Sequence, residues 1–175
     1  MPKTGLREQI LPVNFRDKLV PLDQLTPWRQ AVGETGRRLV VTNGCFDLLH
    51  LGHVTYLENA RNQGDLLLVG VNADAAVRKL KGKDRPINPE QDRALVLAAL
   101  ESVSAVTIFP DRTATGFLAM ARPDIYVKGG DYTLETINQD ERRVVEEAGG
   151  EIVLLSFVEG RSTTATLQKL GKDTR

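Results

Sequence analysis

The sequence predicts a doubly wound α/β fold built on a parallel sheet. Short runs that are apolar throughout alternate along the chain with stretches that begin and end in helix signals. Runs without polar alternation are typical of strands covered on both faces, as in parallel sheets. Five strands are predicted, at residues 39–42, 66–71, 105–109, 125–127 and 152–155.

Helical stretches between these runs complete a βαβαβαβαβ order, which is typical of a single Rossmann-like domain. Asn88 is the predicted N-cap of one helix, with Pro89 in its first turn. Another helix ends at the glycine pair that follows Ala148. The predicted helices of the domain cover residues 54–64, 88–100 and 140–148 and a closing segment that begins at Ser162.

Residues 1–36 are predicted to form an N-terminal arm and a docking helix, and residues 37–175 the main domain. Thr26 and Pro27 are the expected cap and first turn of the docking helix. Its apolar side chains recur at helical spacing: Leu22, Leu25, Trp28 and Val32. Such a face needs an apolar partner, either the back of the same domain or a second copy of the chain. On this ground we expect a homodimer.

The composition is that of an ordinary globular domain, with 175 residues of which 41% are hydrophobic and 26% charged. The 23 basic and 23 acidic residues cancel, so we expect neither nucleic acid nor an anionic membrane as a partner. The single cysteine, Cys45, excludes an intrachain disulfide. No apolar stretch is long enough for a membrane span or a signal peptide. We therefore expect a cytoplasmic protein.

Four polar segments follow predicted strands, at residues 42–53, 79–86, 128–132 and 159–164. The carboxyl ends of parallel strands meet at one edge of the sheet, where ligands of such folds bind. We expect residues 79–86 to be a basic loop that closes over a ligand, with Gly82 and Pro86 as hinges.

Both histidines of the chain, His50 and His53, lie at a predicted junction between a strand and a helix. The first N–H groups of a helix lack internal partners and bear the positive end of its dipole, so they favour a phosphate. The imidazoles would add two donors that are neutral or cationic near pH 7. Gly52 between them leaves room for a close ligand. A zinc site is the alternative, but only Cys45 and Asp47 are near in sequence.

A polyphosphate also needs mobile cations, and the predicted edge offers Lys81, Lys83, Arg85, Lys128 and Arg161. This inventory suits a nucleoside triphosphate that enters with Mg²⁺. Neither a Walker-type phosphate loop nor a Gly-x-Gly-x-x-Gly motif is present, so the phosphates must be held in another way.

His50-x-Gly52-His53 after Gly44-x-Phe46-Asp47, with a late Ser162-Thr163-Thr164, resembles the nucleotidyltransferase superfamily of cytidylyltransferases and their adenylyltransferase relatives. The resemblance runs from about residue 22 to residue 170. Residues 42–47, 80–88 and 127–132 are similar to the heptose 1-phosphate adenylyltransferase family within it. That family transfers AMP from ATP to D-glycero-β-D-manno-heptose 1-phosphate and so supplies ADP-heptose for lipopolysaccharide core. Its members are often fused behind a sugar kinase, and we expect this chain to be a stand-alone version.

The residues and this resemblance together imply a role for each group. The expected catalytic residues are His50, His53 and Lys81. The expected nucleotide-binding residues are Asn43, Gly44, Cys45, Phe46, Gly52, Lys128, Gly129, Ser162, Thr163 and Thr164. Asp47, Arg85 and Asp131 are expected to bind the substrate, Mg²⁺ is expected to accompany ATP, and no protein metal site is expected.

Simpler explanations stay open for several of these residues. The cations between Lys79 and Arg85 fit a solvated face, and the late Ser-Thr-Thr fits a plain helix cap. Asp47 and Asp131 fit turn and cap positions, and Cys45 fits packing rather than nucleophilic work. Arg161 stands where the heptose family is not expected to have it.

Two other functions stay open as well. One is a CTP-dependent cytidylyltransferase acting on glycerol 3-phosphate or another small alcohol phosphate. Glycerol-phosphate cytidylyltransferases resemble this chain but have an arginine where Phe157 stands. The other is a nucleotide-binding regulatory module that has lost turnover.

Overall fold

The computed structural model describes residues 14–130 and 132–156, which form five β-strands and six α-helices. The strands are β1 (Leu39–Gly44), β2 (Leu66–Asn72), β3 (Ala105–Phe109), β4 (Ile125–Gly129) and β5 (Glu151–Leu155). The helices are α1 (Leu25–Glu34), α2 (Leu51–Arg61), α3 (Asp74–Lys81), α4 (Glu90–Ala98), α5 (Thr115–Ala121) and α6 (Gln139–Glu147). All five predicted strands are confirmed, and so is the helix predicted at residues 140–148.

The strands form one parallel sheet in the order β3-β2-β1-β4-β5. The chain moves outward from β1 to β3 and then returns to the other side of β1 with β4 and β5. This order confirms the predicted doubly wound α/β fold. The strand order reverses between β1 and β4, and a crevice for ligands opens outside the carboxyl ends of the strands at such a point.

Two apolar cores lie on opposite faces of the sheet. Helices α2 and α4 cover one face and bury Leu57 and Leu97 completely. Helices α1, α5 and α6 cover the other face, where Leu118 and Val145 are fully buried. Covering on both faces explains why the strands are apolar throughout and not at alternate positions.

The docking helix α1 packs on its own domain. Leu25 and Val32 are buried in the same core as helix α5, with Leu22 and Trp28 packed against them. Arg29 fixes the outer side of the helix, since its guanidinium donates to the Arg122 carbonyl at 2.9 Å and pairs with Asp124 at 3.1 Å. The apolar face that suggested a homodimer is therefore covered within one chain, and the homodimer stays a prediction.

The segment before α1 lies along β3. Leu19 forms a parallel bridge with Val106, and the Val20 N–H donates to the Val106 carbonyl at 2.9 Å. The Thr107 hydroxyl donates to the Val20 carbonyl at 3.0 Å. Phe15 packs against the core under α2 and α4. The described part of the predicted arm is thus joined to the sheet.

The expectation of a basic loop over residues 79–86 is partly wrong. Lys79, Leu80 and Lys81 form the last turn of α3, and the chain leaves the helix at Gly82, whose φ of +99° favours glycine. The helix buries Ala76 and Val77, places Asp74 in its first turn and ends in cations. These are ordinary helix signals, and they account for a helix that continues through Lys81.

Two predicted caps are also wrong. Helix α4 begins at Glu90 after Pro89, and the Asn88 side-chain amide donates instead to the Asp47 carbonyl at 3.1 Å. Helix α1 begins at Leu25, one residue before Thr26. The local sequence predicts that Asn88 caps the helix, but its side chain forms a tertiary contact with Asp47 instead.

No helix within residues 14–130 and 132–156 has the length and apolar content that crossing a membrane requires.

Candidate active site

A cleft of about 390 Å³ opens at the carboxyl ends of β1 and β4. Its volume lies within the range of small-molecule sites, and it occupies the point where the strand order reverses. The structure brings most of the predicted site residues to its wall: Asn43, Gly44, Cys45, Phe46, Asp47, His53, Lys81, Lys128 and Gly129.

His50 and His53 lie at the start of α2, close enough to act on one ligand. His50 is the N-cap residue, and Gly52 and His53 follow in the first turn, where Gly52 is buried. The two rings stack with centroids 3.9 Å apart and planes inclined by 23°. The pair therefore forms one block at the positive end of the helix dipole, where an anion is favoured.

The pKa of His53 is lowered to about 4, mainly by burial and also by the neighbouring His50 and Lys81 charges. A backbone hydrogen bond at Leu48 acts in the opposite direction and is outweighed. His53 is therefore a neutral imidazole at pH 7, with one N–H donor and one acceptor nitrogen. The sequence left open whether this ring is neutral or cationic.

The loop after β1 is bent sharply to bring Phe46 against the histidines. Phe46 has a φ of +45°, which is uncommon for a residue with a side chain. Its ring meets the His53 ring edge-on, with centroids 5.4 Å apart. A Cβ at position 44 would lie 2.9 Å from the Phe46 ring, so a larger residue there would displace that ring. Gly44 thus shapes the wall of the cleft through packing.

Three cations line the cleft: Lys81 from α3, Lys128 from β4 and Arg112 from the loop after β3. Among the described residues, Lys81 and Arg112 have no ion-pair partner within 4.0 Å. The cleft thus has positive charge available for an anionic ligand, as the sequence predicts.

Lys128 is held by a buried polar network. Its ammonium lies 3.2 Å from the Glu141 carboxylate and donates to the Asn43 amide oxygen at 3.0 Å. The Tyr126 hydroxyl lies 2.7 Å from the same Asn43 oxygen and 2.9 Å from Glu141. The network therefore fixes Asn43 and Lys128 together at the ends of β1 and β4.

Asp47 and Arg85, both predicted to bind the substrate, are paired with each other at 2.6 Å. The Asp47 carboxylate also accepts the Ile87 N–H at 2.8 Å and the Asn88 N–H at 3.1 Å. Burial alone would raise the pKa of Asp47, but these three donors outweigh it and hold the pKa below its ordinary value. Asp47 thus joins the loop after β1 to the segment before α4. Its predicted contact with the substrate stays a prediction.

Arg93 is a fully buried cation in α4 that sequence reasoning missed. Its guanidinium donates to the Cys45 carbonyl, to the Asn72 carbonyl at 2.8 Å and to Asp74 at 2.8 Å. Its Nε donates to the Asn88 carbonyl at 3.0 Å. One side chain therefore ties the ends of β1 and β2 to the starts of α3 and α4. The sequence gives no signal for it, because a helical arginine is usually exposed.

Cys45 fits the packing role expected for it. Burial raises the pKa of its thiol, although the charges of Lys81, Arg93 and Arg85 act in the opposite direction. The thiol is therefore protonated at neutral pH and is a poor nucleophile.

Four predicted residues lie outside the described part of the chain: Asp131, Ser162, Thr163 and Thr164. Conversely, the cleft contains Arg112, Asn72, Tyr132 and Glu141, which were not among the predicted site residues. Arg112 could have been found, because its segment also follows a strand, β3, and so ends at the same edge of the sheet.

The family model described as cytidylyltransferase-like matches residues 41–165. The chain belongs to the cytidylyltransferase-like family. The match includes both histidines and the residues at the ends of β1 and β4, and it confirms the predicted membership of the nucleotidyltransferase superfamily. The chain therefore carries a nucleotidyltransferase domain.

Among curated relatives, this cytidylyltransferase-like chain is similar to proteins described as bifunctional protein HldE. It is 50% identical to that of Geotalea uraniireducens over 87% of its own length, and 47% identical to that of Geobacter sulfurreducens over 89%. The matched region is only 31% of either relative. The chain thus spans less than a third of the curated relatives that it matches.

Two solved structures share the fold of this cytidylyltransferase-like chain. A lipopolysaccharide core biosynthesis protein from Thermoplasma volcanium superposes with a TM-score of 0.58 at 26% identity, covering 72% of this chain and 100% of that one. A pantoate-beta-alanine ligase from Francisella tularensis, complexed with beta-gamma ATP and beta-alanine, superposes with a TM-score of 0.55, covering 83% of this chain and 68% of that one. At 11% identity, the second likeness shows the fold alone.

Proposed function

We propose that this chain transfers AMP from ATP to D-glycero-β-D-manno-heptose 1-phosphate and releases pyrophosphate. One observation carries the proposal: the imidazole of His53, on which the His50 ring stacks, lines the same cleft as the cations of Lys81, Lys128 and Arg112. N–H donors and cations that converge at a helix N-terminus suit a triphosphate ligand.

The choice of acceptor rests on the segments that carry the resemblance to heptose 1-phosphate adenylyltransferases. Residues 43–47, 80–81 and 128–129 of those segments line the cleft. The likeness to a structure described as a lipopolysaccharide core biosynthesis protein supports the same assignment. The HldE relatives support a nucleotidyltransferase of this branch.

The reaction needs little acid–base help from the protein. A sugar phosphate has its second ionisation near about pH 6, so at neutral pH its oxygen attacks without a general base. That oxygen forms a bond to the α-phosphorus of ATP, and the bond from the α-phosphorus to the bridging oxygen breaks. Pyrophosphate leaves with the bonding electron pair. The enzyme must align the two phosphates and stabilise the charge that develops between them.

The chain's own groups are suited to this task. Neutral His53 offers an N–H donor to the α-phosphoryl group, and His50, stacked on it, shares the site at the start of α2. Lys81, at the end of α3, and Arg112, in the loop after β3, supply charge for the departing phosphates. Lys128, held at β4, orients the acceptor phosphate or the α-phosphate. Fixed donors of this kind are most effective where charge builds up in the transition state.

Mg²⁺ is proposed only as a companion of ATP. The two carboxylates described in the cleft, Asp47 and Glu141, already accept hydrogen bonds and pair with Arg85 and Lys128. Within the described ranges no three acidic, histidine or cysteine side chains are grouped to hold a metal ion. The described side chains therefore do not fit a Mg²⁺ cage, and no step is assigned to the ion. ATP phosphates are common Mg²⁺ ligands in their own right.

A four-way assay tests the proposal. The full chain is given ATP or CTP with Mg²⁺, each with heptose 1-phosphate or glycerol 3-phosphate, and pyrophosphate release is measured together with the mass of the product. We expect turnover with ATP and heptose 1-phosphate and poor turnover with CTP. A base that leaves buried polar groups unpaired costs about 1–3 kcal/mol for each group.

Two results contradict the proposal. Turnover only with CTP and glycerol 3-phosphate would make the chain a cytidylyltransferase. Nucleotide binding without pyrophosphate release from any pair would make it a regulatory module.

A further inference from the structure

Glu141 is an acid of the cleft wall that the proposed reaction does not use, yet its carboxylate has three partners within the protein. It lies in the first turn of α6, and its residue is only 4% exposed. Asn138 caps that turn by accepting the Glu141 N–H at 3.1 Å. The helix dipole favours a carboxylate at this end, which helps to explain how a charge is tolerated in the protein interior.

The two carboxylate oxygens of Glu141 hold two different elements. Oε2 lies 3.2 Å from the Lys128 ammonium and 2.9 Å from the Tyr126 hydroxyl. Oε1 accepts the Ala114 N–H at 2.8 Å, just before α5. Ala114 is two residues from Arg112, so the same carboxylate anchors the loop that carries the third cation of the cleft.

The Lys128 ammonium has two fixed partners, the Asn43 amide oxygen as hydrogen-bond acceptor and the Glu141 carboxylate as ion-pair partner. The Asn43 amide oxygen accepts from Lys128 at 3.0 Å, and Tyr126 bridges Asn43 to Glu141. Hydrogen bonds to charged groups are shorter and stronger than neutral ones. Without the carboxylate, Asn43 alone would hold an ammonium at the end of a flexible four-carbon stem.

We infer that Glu141 is a positioning residue of the nucleotidyltransfer site, which acts by fixing the Lys128 ammonium at the cleft wall. It touches no substrate in this role. The inference rests on the proposed function only in that Lys128 must meet a phosphate of the nucleotide or of the acceptor.

The test combines Glu141→Gln, Lys128→Ala and the double variant, with Glu146→Gln as the matched control. Glu146 is on the same helix and is half exposed, and among the described residues it pairs only with Arg142. Glutamine keeps an acceptor for the Ala114 N–H and a partner for the Tyr126 hydroxyl, so the Glu141→Gln variant should fold. It removes the negative charge beside Lys128 and turns an amide –NH₂, which cannot accept a hydrogen bond, toward the ammonium.

We expect Glu141→Gln to lower kcat for pyrophosphate release by roughly 10- to 100-fold, the scale of a misplaced catalytic group. KM for MgATP should stay within about threefold or fall, because a negative charge has left the cleft. When Glu141→Gln is added to Lys128→Ala, kcat should fall little further, because the ammonium that Glu141 positions is already absent. Glu146→Gln should match the wild type.

A spectroscopic measurement supplies a readout that does not depend on the acceptor. The ¹⁵N signal of the Lys128 ammonium, assigned by its loss in Lys128→Ala, should be visible in the wild type. There the hydrogen bond to Asn43 and the ion pair with Glu141 slow its exchange with water. It should weaken or shift in Glu141→Gln and remain in Glu146→Gln.

A wild-type kcat in Glu141→Gln would overturn the inference. So would a full 10- to 100-fold fall in kcat when Glu141→Gln is added to Lys128→Ala. An unchanged ammonium signal in Glu141→Gln would do so too. If no acceptor supports pyrophosphate release, the proposed function fails and the ammonium signal alone decides the role of Glu141.

Discussion

His50 and His53 stack face to face, with ring centroids 3.9 Å apart, at the first turn of a helix. At this separation a proton on His50 disfavours a proton on His53, and burial also disfavours the charged form of His53. The stack therefore favours the neutral form of His53. In that form the imidazole has one N–H that can donate to a phosphate.

The titration of His53 follows from this geometry. The pKa of His53 is lowered to about 4 by burial, His50 and Lys81, so its NMR Hε1 signal should not shift between pH 7.5 and 5.5. MgATP should raise this pKa, because a phosphate favours the imidazolium. The chain has only two histidines, so assignment needs one substitution. A midpoint near 6.5 without ligand would contradict the buried stack.

The same shift has a consequence for stability. Because the pKa of His53 is lower in the folded chain than in the unfolded chain, the unfolded state binds the proton first as pH falls. The contribution of His53 to the free energy of unfolding should therefore decline from about pH 6.5 toward about pH 4 and be level outside that window. Urea unfolding of wild type and of His53→Gln at pH 7.5, 6 and 5 measures this difference.

Removing either imidazole should affect turnover more than folding. His50→Ala and His53→Ala should each lower kcat by roughly 10²–10³, as loss of one fixed transition-state donor does in other enzymes. Circular dichroism checks that each variant is folded, and pyrophosphate release gives kcat. Near wild-type turnover in either folded variant would make that histidine structural.

Lys81 and Lys83 provide a matched pair of cations. Lys81 ends α3 and lines the cleft, whereas Lys83 is exposed beyond Gly82. Lys81→Ala should lower kcat/KM for MgATP by roughly tenfold or more, the scale of one charge-assisted hydrogen bond. Lys83→Ala should change it less than about twofold. Equal small effects would indicate that both lysines are ordinary surface cations without a role in binding the nucleotide.

Arg112 should contribute to nucleotide binding. It is a cation of the cleft wall without an acidic partner in the described ranges. Arg112→Ala should raise KM for MgATP by roughly three- to tenfold with a smaller change in kcat. Arg143→Ala is the control, because Arg143 is exposed and pairs with Asp140 on the surface of α6. A rise in KM that both variants share would indicate a general effect of net charge.

Asp47 should matter for stability. Asp47→Asn should lower the free energy of unfolding by about 3 kcal/mol at pH 7, because it leaves the Arg85 guanidinium without its charged partner. The lowered pKa of Asp47 means that this difference is present above about pH 4 and shrinks as acid protonates the wild-type carboxylate. Asp140→Asn, in an exposed ion pair, should change stability by less than about 1 kcal/mol.

The fold was predictable because burial on both faces imposes a composition on each strand. Val40 and Val41 enter opposite cores, so both must be apolar, and the run they form is visible in the sequence. His50 and His53 were predictable as a pair because three residues is close to one turn of a helix. Neither inference needs any knowledge of distant contacts.

The connections of the site were not predictable, because they join residues far apart in sequence. Glu141 meets Lys128 from a helix that comes after β4, and Arg93 reaches the end of β1 from a helix that comes after β2. Asn88 has the local pattern of a cap, but a contact with Asp47 takes its side chain. Such pairings depend on the relative placement of whole elements, and residue type alone does not reveal them.

The pairing of Leu19 and Val20 with β3 has a consequence for solubility. β3 is the outermost strand on its side of the sheet, and an open strand edge is a template on which another chain can add a strand and aggregate. Leu19 and Val20 occupy part of that edge with a short intramolecular pairing. A chain shortened to begin at Leu25 would lose this cover and present β3 to its neighbours at high concentration.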